Sequence, residues 1–323
     1  MGCTMTRVAV TGGTGFVGAA LIERLASDEE FAILAFARGH RPGGHLRVSW
    51  AAAGDLTSPS YGSELLDGVD VVVHCAARVH VMRDKSRDPL LEFRRANVAA
   101  TLALARNAAA SGAQRFIFLS SIKVNGEGTL PNRPFRPDDA PEPKDPYGIS
   151  KCEAEVGLRE IANETGLELV IVRPPLVYGP QAGGNFAALA GYVRRGYHLP
   201  FAAITENRRS LVSIGNLVDL LVHCIRDPRA AGKTLLVSDG DDLSTAELLR
   251  RMAKALDRKP RLFHVPPTLF RLAAELIGKP GIADRLCGSL QVDIGHTRQA
   301  LAWSPPLDVD TGLALALRTN PFR

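Results

Sequence analysis

Three things are scarce in this 323-residue chain: cysteine pairs, long apolar runs and blocks of like charge. The cysteines, Cys3, Cys75, Cys152, Cys224 and Cys287, are far apart, odd in number and without a C-x-x-C. That argues against a disulfide framework or a zinc site and fits a reducing cytoplasm. No apolar run reaches the about 18 residues that a membrane span needs, and no secretory signal is visible. No block of five or more like charges occurs, which disfavours a nucleic-acid-binding arm. Internal repeats and low-complexity tracts are absent too. Gly2 and Thr6 match a myristoylation pattern, but the first strand follows almost at once and no lipid is expected.

What is present describes a soluble globular protein. Hydrophobic content is 46% and charged content 23%, with a length that permits a substantial core. The net charge of +5 is mildly basic and suits an anionic small molecule. No metal site is expected.

The stretch Thr11-Gly12-Gly13-Thr14-Gly15-Phe16-Val17-Gly18 organises the rest. It follows the apolar run Val8-Ala9-Val10 and opens a periodic segment through Leu21, Ile22 and Leu25. The context is strand, tight turn, helix. Gly13, Gly15 and Gly18 give G-x-G-x-x-G, while Gly12, Gly15 and Gly18 give G-x-x-G-x-x-G. Glycine lets backbone approach a pyrophosphate, and the helix N-terminus favours its charge. Gly12, Gly15, Phe16, Val17 and Gly18 are therefore candidate dinucleotide contacts.

Phe31 to Ala37 reads as a second strand. It ends at Arg38 with no acid, and His40 and Arg41 follow. An arginine there can pair with a 2′-phosphate, which tilts the cofactor toward NADP(H) while leaving NAD(H) open. Val48 to Ala52 and Val69 to His74 are further strands, the latter a continuous apolar run suited to a parallel sheet. Cys75-Ala76-Ala77 are small enough to lie against a cofactor. His74 and His80 read as structural.

Glu92 to Ala110 carries a helical pattern with Asn97 inside it. Arg115 to Leu119 is a buried strand running into Ser120-Ser121. Asp145 and Pro146 form a helix start, and Leu167 to Val172 is another strand. This alternation indicates an α/β fold with a doubly wound, Rossmann-type parallel sheet. Arg173-Pro174-Pro175 breaks the rhythm. Leu211 to Ile214 and Thr234 to Val237 read as short strands rejoining the sheet, with Asn216 to Arg226 helical between them. Thr245 to Leu256, Pro267 to Ile277 and Thr311 to Leu317 read as amphipathic helices. Residues 1–173 are thus expected to bind the dinucleotide, with about 209–238 rejoining them. Residues 174–323 are mostly a smaller, discontinuous substrate domain.

The chemistry rests on Ser121, Tyr147 and Lys151. Tyr147 and Lys151 are four apart on a helix and share a face. An ammonium beside a phenol lowers its pKa, as a nearby nicotinamide cation would. The tyrosine is then expected to exchange a proton with a carbinol or ketone near neutral pH. Ser121 follows a parallel strand, where open α/β sheets place ligands, and its hydroxyl can hold the same oxygen.

Taken together, these motifs make the chain resemble an extended short-chain dehydrogenase/reductase of the nucleotide-sugar epimerase/dehydratase family, over nearly its whole length. Thr11 to Gly18, Gly54-Asp55-Leu56, His74 to Ala77, Asn97, Ser120-Ser121, Tyr147/Lys151 and Arg173 to Pro180 fall in family order. The resemblance implies that Asp55 and Leu56 hold the adenine and that Ala76 lines the cofactor. It implies that Tyr147 and Lys151 also bond the nicotinamide ribose and that Asn97 supports its helix. It further implies that Asn185, Arg209 and Arg285 contact a UDP-sugar and that the chain forms a homodimer.

Departures from the family narrow the reaction. The family's 4,6-dehydratases carry Thr-Asp-Glu where this chain has Ser121-Ile122-Lys123, so dehydration lacks its acid and base. Asn125 replaces a tyrosine and Leu176 an asparagine, which implies an unusual sugar pocket. Three phrases, Ser120 to Gly128, Asn207 to Leu211 and Cys287 to Asp293, resemble a bacterial O-antigen subgroup. Its members are similar to UDP-4-keto-6-deoxy-N-acetylglucosamine 4-reductases, which form UDP-N-acetylquinovosamine. That reduction is the leading expectation. The alternatives are a UDP-hexose 4-epimerase, a dehydrogenase for a non-sugar carbonyl, and a dinucleotide-sensing regulator without turnover.

Overall fold

The computed structural model describes residues 5–39, 46–52, 63–79, 86, 88–130, 132–276, 278 and 280–318. Asp55, Leu56, His40, Arg41 and His80 lie outside the described residues.

Seven parallel strands form the central sheet: β1 (Thr6–Thr11), β2 (Phe31–Ala37), β3 (Val48–Ala52), β4 (Val71–His74), β5 (Arg115–Leu119), β6 (Glu168–Arg173) and β9 (Thr234–Leu236). Their order is β3-β2-β1-β4-β5-β6-β9, reversing direction of growth after β3. β4 and β5 are buried at every position, because helices cover both faces. Alternate side chains feed two cores. Val8, Val10 and Ile117 join α1 (Phe16–Ala26) and α6 (Ile214–Arg226) on one face. Ala9, Phe116 and Phe118 join α3 (Ala100–Ala110) and α4 (Pro146–Thr165) on the other. The period of two along each strand is what splits these sets.

The expected helix over Glu92 to Ala110 is interrupted. A short α2 (Pro89–Phe93) passes through a π-helical stretch, Arg94–Ala99, into α3. The wide turn carries Asn97, which is 1% exposed, into the interior. Its side-chain oxygen accepts from Arg78 N at 2.7 Å, and its nitrogen donates to Arg78 O and to Ser150 Oγ, both at 3.0 Å. Helix α4 starts as the sequence predicts: Asp145 accepts from Gly148 N at 2.7 Å, with Pro146 in the first turn.

Only one of the two short later strands returns to the main sheet. Pro174 and Pro175 end β6, since proline cannot donate to a ladder. The chain then forms β7 (Leu176–Tyr178), which pairs in parallel with β8 (Leu211–Ser213) as a separate sheet. Around this pair lie α5 (Gly184–Arg194), α7 (Thr245–Ala255), α8 (Pro267–Leu276), α9 (Pro280–Cys287) and α11 (Val309–Arg318), while α10 (Gly295–Leu301) packs against β9 of the main sheet. Tyr178, Phe186, Leu249, Met252 and Leu313 are the centre of their core. No helix among the described residues is long and apolar enough to cross a membrane.

The two faces of the site are joined by a buried ion pair. Arg173, at the end of β6, donates to both oxygens of Glu155 on α4, at 2.9 and 2.6 Å. Both side chains are 4% exposed. Ser120 Oγ donates to the same carboxylate at 2.6 Å, and Arg173 Nη1 donates to Asn125 Oδ1 at 2.9 Å. Removing one partner leaves a buried, unpaired charge. Arg173→Met should therefore destabilise the protein by about 3–5 kcal/mol, measured by urea unfolding. The double variant Arg173→Met/Glu155→Leu should recover much of that loss.

Candidate active site

The glycine turn is built from close approaches. Gly12 has φ +68°, and a Cβ there would sit 2.8 Å from Ala76 N at the end of β4. A Cβ on Gly18 would lie 2.2 Å from Gly12 O. Only glycine lets β1, the turn and α1 meet this tightly. Gly15 caps α1 without a side-chain hydrogen bond, so the first N–H groups of the helix, at Phe16 and Val17, are left for an anion. A dinucleotide pyrophosphate fits this cradle. Arg38 follows β2, is exposed, and has no hydrogen-bond partner among the described residues.

Next to the cradle stand the ends of β4 and β5. His74 is 1% exposed and bonded through both ring nitrogens, to Thr11 Oγ1 at 2.7 Å and Thr101 Oγ1 at 2.9 Å. Burial, and then the Lys151 charge, lowers its pKa to about 3. It is a structural tie between β1, β4 and α3. Among the described residues no group of His, Cys, Asp and Glu is placed to hold a metal ion.

Ser121, Tyr147 and Lys151 converge at the C-terminal end of β5. Ser121 caps the short helical turn Ile122–Val124, its hydroxyl accepting from Lys123 N at 3.3 Å, and it also engages the Tyr147 phenol. The Tyr147 ring lies 6.2 Å from the Phe93 ring, edge to face. Lys151 is 2% exposed. Its ammonium donates to Leu119 O at 2.8 Å and sits 4.4 Å over the Phe118 ring. No carboxylate among the described residues pairs with it directly. Burial pushes its pKa down to about 8, with the Cys75 thiol and Glu155 acting in the opposite direction.

The tyrosine departs from expectation. The Lys151 ammonium is 6.0 Å from the Tyr147 ring centroid and spends its hydrogen bond on Leu119 rather than on the phenol. Burial, followed by the Asp145 charge, raises the Tyr147 pKa to about 12, against the Ser121 hydrogen bond that lowers it. In the protein alone this phenol is a poor acid, because desolvation outweighs a lysine at that distance.

Arg209 and Arg285 are brought near each other. Arg209 donates to Gly288 O at 3.1 Å and Arg285 to Gly281 O at 2.8 Å. Neither pairs with a carboxylate among the described residues, and burial followed by Arg285 lowers the Arg209 pKa. Two unneutralised guanidiniums suit a diphosphate. The Arg209 backbone bridges to Leu290, and Leu290 and Val292 pack with Ile122, the neighbour of Ser121. The arginine pair is therefore one packed layer from the catalytic turn. Asn185 is exposed in the first turn of α5, and no bond ties it to the triad.

Some participants were not visible in the sequence, and one changes meaning. Asn125 does not line a pocket: it is 2% exposed, donating to Arg136 O at 2.8 Å and accepting from Arg173. Glu155 shows in the sequence only as a charge at helical spacing from Lys151, and Arg173 only as the start of the stretch from Arg173 to Pro180. Asn207 donates to Thr245 Oγ1, Leu286 O and Gly288 O, holding the segment that Arg209 contacts. Lys123 forms an ion pair with Asp145, the cap of the helix that carries Tyr147.

Known proteins resemble this chain in sequence and in fold. The chain is 47% identical over 307 residues to a UDP-glucose 4-epimerase of Vibrio cholerae, covering 94% of this chain and 92% of that protein. It is 27% identical over 329 residues to a 2-alkyl-3-oxoalkanoate reductase of Stenotrophomonas maltophilia, covering 95% and 97%. The Bordetella bronchiseptica enzyme WbmG in complex with NAD and UDP shares the fold, with a TM-score of 0.77 at 21% identity over 98% of this chain and 94% of that one. Residues 8–237 match the NAD dependent epimerase/dehydratase family. With the glycine cradle, the parallel sheet and the Ser121, Tyr147, Lys151 cluster in place, the chain belongs to that family of NAD-dependent enzymes.

Proposed function

We propose that this protein is a UDP-sugar 4-epimerase, inverting carbon 4 by removing hydride and returning it to the opposite face. The observation that carries the reading is the convergence of Ser121, Tyr147 and Lys151 beside a dinucleotide cradle. The similarity to a UDP-glucose 4-epimerase supports it. When bound, NAD supplies hydride acceptance and return, and its cationic ring favours a nearby phenolate.

The chain's own residues supply the rest. Ser121 holds the oxygen on carbon 4. Tyr147 takes the proton from that oxygen as the carbinol becomes a ketone, and gives it back on return. The Lys151 ammonium favours the phenolate needed for the first step. Arg209 and Arg285 grip the diphosphate, and Asn185 contacts the diphosphate or sugar. Asp55 and Leu56, outside the described residues, are assigned to the adenine. The dinucleotide is assigned to residues 1–173 with the returning 209–238 segment, and the sugar to the remainder.

A second reading is reduction of UDP-4-keto-6-deoxy-N-acetylglucosamine in O-antigen synthesis. Leu176 favours it. This apolar side chain is 42% exposed where many relatives have an asparagine near the sugar. It offers no hydrogen bond to a hydroxyl and suits a deoxy sugar. In either reading we place the enzyme in the cytoplasm as a homodimer, through the helices around Asn97 and α4, where Leu91 and Val156 are exposed.

One assay separates the two. Purified protein that interconverts UDP-glucose and UDP-galactose, or their N-acetylamino counterparts, with no added cofactor is an epimerase. Consumption of one NADH or NADPH per 4-keto sugar, with no interconversion, establishes the reductase instead. Tyr147→Phe should lower turnover roughly 10²–10⁴-fold and leave NAD binding largely intact; near-normal turnover overturns the assignment of Tyr147.

The buried Lys151 also predicts a stability cost. Its folded pKa of about 8 lies below the 10.5 of an unperturbed lysine, so the folded state holds the ammonium at a penalty. That penalty is full below about pH 8 and fades as pH rises toward 10.5, where the lysine loses its proton in both states. Lys151→Met should therefore stabilise the cofactor-free protein by about 1–3 kcal/mol at pH 7. Urea unfolding at a series of pH values should show the gain shrinking above pH 8, while turnover stays abolished.

A further inference from the structure

Lys123 stands two residues beyond Ser121 and is partly exposed, and the proposed reaction leaves it unused. Its ammonium pairs with the Asp145 carboxylate and, at 3.2 Å, with Glu127. Asp145 caps α4 through Gly148 N and stands two residues before Tyr147. The turn is pressed against that helix start: a Cβ on Gly148 would sit 3.0 Å from Lys123 O and 3.3 Å from Lys123 Cβ. Lys123 N in turn donates to Ser121 Oγ. One residue thus touches the serine by its backbone and the tyrosine's helix cap by its side chain.

We propose that Lys123 is a positioning residue for proton transfer: held in an ion pair with Asp145, it offsets the charge that this carboxylate exerts on Tyr147 and so sets the pH at which the tyrosine ionises. This rests on the reading that Tyr147 moves the proton. The Asp145 charge is, after burial, the second cause that holds the phenol un-ionised. The other groups around Tyr147 come from three elements. Ser121 reaches it from the end of β5, Lys151 from α4, and the Phe93 ring, itself covered by Arg78 at 5.5 Å, from α2. Behind Lys151 are His74, Cys75 and Glu155. The Lys123–Asp145 pair lies at the solvent side. Lys123 is 36% exposed and Asp145 23% exposed, so the pair is open to tuning by substitution without disturbing the core.

The test needs no sugar. Protein loaded with NAD is titrated by ultraviolet difference spectroscopy for phenolate, with Tyr147→Phe in each background subtracted to remove the other four of the five tyrosines. Lys123→Gln should raise the Tyr147 midpoint by about 0.5–1.5 pH units. Lys123→Gln/Asp145→Asn should bring it back, because asparagine keeps the helix cap and removes the charge. Lys123→Arg should stay close to the parent. An unchanged midpoint in Lys123→Gln, or a raised midpoint that persists in the double variant, overturns the proposal. A merely structural lysine would lower the melting temperature and leave the midpoint in place. If the midpoints move as stated while no UDP-sugar is turned over, the functional reading fails and the role of Lys123 stands.

Discussion

The Glu155–Arg173 ion pair is the joint on which the site depends. It ties α4, which carries Tyr147 and Lys151, to the end of β6, and through Ser120 to the turn that presents Ser121. Because both charges are buried and bidentate, the joint tolerates little displacement. A helix could otherwise slide on the apolar face of a sheet, since hydrophobic contacts are not directional. The polar joint fixes its register, and the Lys151 ammonium, bonded to Leu119 O one helical turn away, fixes it again.

That same rigidity carries an electrostatic cost. A lysine whose pKa is pushed down to about 8 and a tyrosine pushed up to about 12 sit in one desolvated corner. Each shift opposes ionisation, the tyrosine's to phenolate and the lysine's to ammonium. The protein alone is therefore poised against the proton transfer that the proposed reaction needs. The positive charge of a bound dinucleotide and, as proposed, the Lys123 ammonium set against Asp145 act in the other direction. The acidity of Tyr147 follows from a balance of charges at the site, and a single lysine neighbour does not determine it.

Much of this was legible in the sequence, for physical reasons that differ from element to element. The glycine turn reads directly because only glycine survives a 2.2 Å approach at Gly18. The continuous apolar runs of β4 and β5 announce a sheet covered on both sides. Asp145 and Pro146 announce the start of α4. Three features escaped. The π-helical turn at Asn97 depends on partners far along the chain, Arg78 and Ser150. The pairing of β8 with β7 turns on where two prolines redirect the chain, which a short apolar segment does not reveal. The direction of the Tyr147 shift required knowing that Lys151 donates to a carbonyl. Helical spacing placed both side chains on one face without saying how far apart their polar ends would be.

In the proposed reaction, hydride leaves and returns at carbon 4 while Tyr147 handles only the proton on its oxygen. The most direct test uses UDP-glucose carrying deuterium at carbon 4, incubated with the purified protein in ordinary water. Return of the same hydride predicts a slowed reaction and full retention of deuterium at carbon 4 of the epimer. Loss of the label to solvent would mean that a proton, not a hydride, is removed from that carbon, and would contradict it.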